Sequence, residues 1–176
     1  MIRLKLISGS NVKLKTKCSI TDPTFKKAIK VGHALEAFMK RHSCLGVASN
    51  QFGIMERVCA AKIFKGDPRN DQSVAATGKI RVFVDPHIIK RTGRQISKNE
   101  GCLTWPGIRG NVYRHKEIKV EHIVDDGDGG QYGIESTFTG LNAIIIEHEI
   151  EHLDGIRCVD RMKNKTNYGK PMKGSK

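Results

Sequence analysis

The run His148-Glu149-Ile150-Glu151-His152 limits what this chain can become more than any other feature. Residues four apart share a helix face. Both histidines can therefore aim an imidazole at one metal ion, with Glu149 on the adjoining face. Leu141, Ile144 and Ile145 precede His148 at spacings of seven, four and three. The histidine face thus continues an apolar, core-facing stripe, where a solvated helix would carry polar residues. A helix over about 140 to 154 with its histidines turned inward implies a domain built around it.

The 176 residues suit one compact domain, with no internal repeat and no apolar run of membrane-spanning length. Met1-Ile2-Arg3-Leu4-Lys5-Leu6 alternates charged and apolar residues, which reads as a strand and not as a secretory signal. Thr21-Asp22-Pro23 is a helix-start signal, and Phe25, Ala28, Ile29, Gly32, Leu35 and Met39 follow at helical spacing. The spacing predicts a helix over about 22 to 42. Strands are predicted over 57–64 and 80–84, the second ending at Asp85-Pro86, then extended chain over 87–97 with a turn near Thr92-Gly93. Ile118, Val120, His122 and Val124 alternate with polar partners and predict a half-buried strand. The polar stretch 65–79 reads as a surface loop. The stretch Asp125-Asp126-Gly127-Asp128-Gly129-Gly130 looks like a calcium loop, but Ser136 stands where the bidentate Glu belongs, so it reads as a hairpin turn. The predicted fold is α+β: mostly antiparallel strands around a central metal-binding helix, with an N-terminal helix. Residues 1–163 would form the catalytic domain, and 164–176 a flexible basic tail.

The formal net charge of +13 points to an acidic neighbour, such as an RNA or ribonucleoprotein surface. Aromatic residues make up only 6% of the chain, and no basic helix carries interleaved aromatics, which argues against sequence-specific nucleic-acid recognition. The cysteines Cys18, Cys44, Cys59, Cys102 and Cys158 are odd in number and irregularly spaced, so a reducing, cytoplasmic compartment without disulfides is expected.

Two histidines need a third protein ligand if the metal is to keep an open position. Downstream of His152 stand only Asp154, Cys158 and Asp160 before the basic tail. Upstream lies Cys102, inside Glu100-Gly101-Cys102-Leu103-Thr104-Trp105-Pro106-Gly107. Glycine before the thiolate would let the backbone come close to the metal, and two imidazoles with one thiolate form a workable tetrahedral set for a divalent transition metal.

Here the sequence resembles the peptide deformylase family, which carries three motifs in order: one close to G-x-G-x-A-A-x-Q, then E-G-C-L-S, then Q-H-E-x-D-H-L-x-G. They stand here as Cys44-Leu45-Gly46-Val47-Ala48-Ser49-Asn50-Gln51, Glu100-Gly101-Cys102-Leu103-Thr104 and Glu147-His148-Glu149-Ile150-Glu151-His152-Leu153-Asp154-Gly155. The likeness runs over about residues 20 to 163. The chain departs from the pattern at Cys44, Ser49, Asn50, Thr104, Glu147 and Glu151. The resemblance implies hydrolysis of the formyl group of N-formylmethionyl peptides, with release of formate. Cys102, His148 and His152 would hold one divalent metal ion, Fe(II) in the native protein, with zinc, nickel or cobalt able to replace it. Water activated by the metal would attack the formyl carbon, Glu149 would act as general base and then acid, and Gln51 with the Leu103 backbone N–H would stabilise the oxyanion. Gly46, Glu100, Gly101, Ile144 and Ile145 would contact the substrate, Gly46 by letting an extended peptide lie along the backbone. A monomer without membrane association is expected, drawn to the ribosome surface by its basic charge and tail. Two rival readings are a peptidase cutting internal bonds, which lacks its downstream ligand, and a non-catalytic basic module folded around a closed metal site.

Overall fold

The computed structural model describes residues 2–66, 78–125 and 131–167. The predicted 65–79 loop, the acidic turn after Asp125 and the end of the lysine tail lie wholly or mostly outside them. No helix among the described residues is long and apolar enough to cross a membrane.

The first twenty residues do not pair as a predicted strand. Residues 2–8 run as an arm outside the sheets, followed by a turn at Gly9-Ser10 and a 3-10 turn at Val12–Lys15. The alternation is satisfied another way, because Leu4 and Leu6 pack on the cluster around the first helix with no ladder partner. That helix, α1 (Lys26–Arg41), starts later than the sequence signal. The Asp22 carboxylate accepts from the Thr24 N–H and hydroxyl at 2.9 and 2.7 Å, and Phe25 turns left-handed with φ 56°. Residues 22–25 are thereby used as a cap and not as a first turn. Ala28, Val31, Leu35, Phe38 and Met39 then bury the predicted stripe.

Strands β1 (Gly46–Ala48), β2 (Val58–Ile63), β3 (Lys79–Thr92), β6 (Glu117–Asp125) and β7 (Gln131–Thr139) form one antiparallel sheet in the order β1-β2-β3-β6-β7. Strands β4 (Gln95–Cys102), β5 (Trp105–Arg114) and β8 (Lys163–Asn167) form a second, in the order β4-β5-β8. Two predicted ends are corrected here. Asp85-Pro86 does not terminate β3: Asp85 adopts φ 48°, the register with β6 shifts between Val84 and His87, and the strand continues. A bulge absorbs the proline's missing N–H, while its carbonyl accepts from buried Arg57 at 2.9 and 3.1 Å. The tail expected from 164 is also shorter, since Lys163–Asn167 pair with β5.

Helix α2 (Gly140–Leu153) lies against β1, β2, β3, β5, β6 and β7. It is not amphipathic, because every residue from Ala143 to Leu153 is buried, Glu147, Glu149 and Glu151 included. The short α3 (Cys158–Arg161) and β8 follow it. Gly155 ends the helix at φ 76°, where an added Cβ would meet the Lys15 carbonyl oxygen at 2.7 Å. Left-handed backbone costs a residue with a side chain about 1–2 kcal/mol before any clash. Gly155→Ala is therefore expected to lower the Tm by several degrees, measured at fixed metal content; an unchanged Tm would refute this.

Candidate metal centre and cleft

Cys102 reaches the centre from the last position of β4, beside a tight reversal that pairs it with Trp105. One helical turn separates the two histidines of α2. The Cys102 Sγ lies 3.2 Å from the His152 Nε2, which lies 3.2 Å from the His148 Nε2, and all three atoms fall within 4.8 Å of one another. With protons alone, satisfying these three atoms takes a thiolate accepting from both rings, whereas a soft dication among them satisfies all three as ligands. Burial opposes a charged thiolate at Cys102, yet the two imidazoles beside it hold its pKa well below the ordinary thiol range. The donor set fits a divalent transition metal.

Behind the histidines lies a network that sequence reasoning missed. The His148 Nδ1 pairs with the Glu100 Oε1 at 2.8 Å. Arg114, fully buried on β5, donates its Nε to the Glu100 Oε2 at 3.1 Å and its Nη1 to the Glu151 Oε2 at 2.6 Å. Arg161 on α3 completes the chain by pairing with the Glu151 Oε1 at 2.7 Å. Burial alone would raise the Glu100 carboxyl, but His148 and Arg114 hold it far below the usual range. Glu100, expected to contact substrate, thus turns its carboxylate inward and fixes the tautomer and tilt of His148. Glu100, His148 and Cys158 form a second cluster of metal-type donors. The Arg114 pairing already commits that carboxylate, and burial raises the Cys158 thiol.

The open side of the centre is a cleft of about 790 Å³, lined in part by Gly46, Gln51, Leu103, Ile144, Ile145 and Glu149. Glu149 has a buried Oε2 with no hydrogen-bond partner among the described residues, and burial pushes its pKa up to about 7. Gln51 is fixed at both ends of its amide. Its Oε1 accepts from the Ala48 N–H at 2.8 Å, while its Nε2 donates to the Thr104 hydroxyl at 2.9 Å and lies 3.4 Å from the Cys102 Sγ. Leu103 sits half-exposed on the rim.

Two glycines of the cleft lining carry packing constraints beyond the substrate contacts expected of them. A Cβ on Gly46 would fall 2.5 Å from the Glu149 Oε1 and 2.7 Å from its Cγ, so the absent side chain is room for Glu149. Gly46→Ala should therefore lower kcat more than it raises KM, by displacing that carboxylate; steady-state kinetics showing a pure KM effect would contradict this. At Gly101 the close neighbour is the Arg109 Nη1, 3.1 Å from an added Cβ, and not the thiolate's partners.

The departures from the family pattern are accommodated locally. Ser49 donates to the Glu56 carbonyl and Asn50 to that of His152. Glu147 accepts from the backbone N–H of His115 at 2.9 Å and pairs with its ring Nδ1 at 2.6 Å. Cys44 borders the cleft, its thiol pushed up to about 11 by burial with help from Glu149.

The model of the family described as polypeptide deformylase matches residues 4–168. The chain belongs to that family. Among peptide deformylases, the protein of Heliobacterium modesticaldum is 36% identical over 121 residues, 68% of each chain. That of Thermomicrobium roseum is 33% identical over 127 residues, which cover 69% of this chain but only 64% of the relative. That of Christiangramia forsetii is 27% identical over 170 residues, 92% of this chain and 82% of its own. Among solved structures, the class I type b peptide deformylase of Acinetobacter baumannii bound to Met-Ala-Ser superposes with TM-score 0.75 at 25% identity, covering 92% of this chain and 99% of that one. A plant peptide deformylase gives 0.71 at 25% identity, over 92% of this chain and 81% of its own. Peptide deformylases are metal-dependent hydrolases, in keeping with the donor set here.

Proposed function

We propose that this chain removes the formyl group from N-formylmethionyl peptides by metal-dependent hydrolysis. One observation carries the reading: the Cys102, His148 and His152 donors, the unpartnered Glu149 carboxylate and the Gln51 amide meet at one end of a single cleft in a deformylase-family chain. When bound by Cys102, His148 and His152, a dication supplies Lewis acidity, lowering the pKa of water and polarising the formyl carbonyl.

Glu149 does the proton work. Its raised pKa suits a base that accepts the proton of the attacking water and later hands it to the departing amine. The Gln51 Nε2, aimed toward the thiolate by the Ala48 and Thr104 contacts, and the Leu103 backbone N–H would donate to the oxygen that gains charge on the formyl group. Glu100 and Arg114 act through His148 and position it. Ile144 and Ile145, on the apolar wall of the cleft, fit the methionine side chain. The Met-Ala-Ser bound to the A. baumannii relative is the peptide such a cleft would release.

The test is formate release from formyl-Met-Ala-Ser by anaerobically prepared, Fe(II)-loaded protein, with unformylated Met-Ala-Ser alongside. Formate from the first and no cleavage of the second is expected. Folded, loaded protein that releases no formate would overturn the reading, and internal cleavage of unformylated peptides would replace it with a peptidase. The ligand set accepts iron or zinc alike, and zinc would bind the thiolate at least as tightly; the family resemblance is what points to Fe(II) as the native metal, with zinc as a competitor. Metal analysis after anaerobic purification should find iron; zinc alone with full activity would refute that assignment.

A further inference from the structure

The three-stranded sheet has one face in the core and one in solvent. Inward, Val112 packs with Cys158 and Met162. Outward, Ile96 of β4 and Tyr113 of β5 are cross-strand partners, 50% and 58% exposed. They share a shallow depression of about 110 Å³ with Asn111, Val112, Lys163 and Asn164. Arg94, two residues before Ile96, and Lys165, two residues after Lys163, are exposed. Between Lys90 and Lys116 the single acidic residue is Glu100, already neutralised inside by Arg114; Arg161–Asn167 contains no acid. Asp160, the carboxylate close enough to feel Lys165, is held by Arg157 through two contacts of 2.7 Å. None of Arg94, Lys163 and Lys165 has an ion-pair partner among the described residues.

We infer that the outer face of the β4-β5-β8 sheet binds single-stranded RNA, with a base stacked on Tyr113 and phosphates held by Arg94, Lys163 and Lys165. An exposed aromatic on a sheet face, with cations near it along the same strands, is an arrangement that stacks unpaired bases and tracks a phosphate backbone. Charge complementarity selects a polyanion, and the aromatic centre selects one with planar groups. Asn111 commits its Oδ1 to the Asn99 N–H at 3.1 Å and keeps Nδ2 as a donor; with the Tyr113 hydroxyl and Asn164 it offers the donors and acceptors a ribose 2′-hydroxyl takes. A lipid surface fits less well, because two apolar side chains on a rigid sheet offer little to insert. The sequence hid this patch because its residues come from three separate strands. The inference does not depend on the hydrolytic reading.

The measurement is fluorescence anisotropy of a labelled oligouridine twelve-mer with the full chain, across a salt series around ~150 mM. Tyr113→Ala should weaken binding about tenfold, within the range expected when one stacked base is released, and Tyr113→Phe should keep it. Lys163→Ala with Lys165→Ala should reduce the salt slope by about 0.7 for each phosphate no longer neutralised. Lys26→Ala with Lys30→Ala, an equal charge change on α1, should leave the slope unchanged. The inference is overturned if the α1 control weakens binding as much, if Tyr113→Ala has no effect, or if oligodeoxyuridine binds as tightly. Anionic vesicles binding in a Tyr113-dependent way while RNA does not would also overturn it.

Discussion

Glu149→Gln should lower kcat/KM for formyl-peptide hydrolysis by about 10²–10⁴, the range a positioned general base contributes. Metal content should stay at the parental level. The substitution keeps shape and removes only the proton-accepting charge. None of the three converging donors belongs to Glu149, so the ligand set survives. The loss should fall in kcat, because the carboxylate acts on water and amine and not on the peptide's side chains. The pH profile tests the same assignment. In the metal-free protein burial holds Glu149 at about 7, and a dication beside it would favour the carboxylate and move the value lower. The base form is lost as pH falls, so kcat/KM should drop on the acid side of neutrality, with its midpoint below 7. Metal-replete Glu149→Gln protein retaining more than a tenth of parental kcat would remove Glu149 from the proton-transfer role.

What was legible in the sequence was what is local. The α2 helix shows in the spacing of Leu141, Ile144, Ile145, His148 and His152, because helical period and core burial leave the same mark. Strand β6 shows in its alternation for the same reason, and β2 in a short apolar run buried on both faces. Features set by distant partners were missed or misread. Arg114 has no legible role in the sequence, because nothing nearby signals that Glu100 and Glu151, 14 and 37 residues away, bracket it in the core. The all-round burial of α2 was invisible because Glu147 and Glu151 are buried only by partners from elsewhere in the chain, His115 against the first and Arg114 and Arg161 against the second. Asp85-Pro86 looked like a strand end because the Arg57 contacts to the Pro86 carbonyl come from outside β3. The room that Gly46 leaves for Glu149 was not legible, because Glu149 lies 103 residues further along the chain.

Arg114→Met should be among the most damaging substitutions away from the metal ligands, destabilising the fold by about 3–5 kcal/mol. Methionine nearly fills the volume, so the cost comes from charge and not from a cavity. Glu100 and Glu151 each lose a buried cation and keep only His148 and Arg161 respectively. The sign with pH follows from Glu100. Its native pKa is depressed, so the stability it contributes is fully present above the unfolded carboxylate range and is lost as pH falls below it. The parent should therefore lose stability on acidification below about pH 4, and Arg114→Met should lose less over that range because little of the contribution remains. A functional loss should accompany the structural one, because Glu100 without Arg114 no longer fixes the His148 ring; supporting contacts of this kind are worth about 10–100-fold in metal affinity. Adding Glu151→Gln to Arg114→Met removes one stranded carboxylate and should recover part of the lost stability, a non-additivity that a simple packing defect would not give. Denaturant unfolding at matched metal content separates the two accounts. A single variant within about 1 kcal/mol of the parent, or strictly additive effects in the pair, would mean that Arg114 fills space and does not hold the network together.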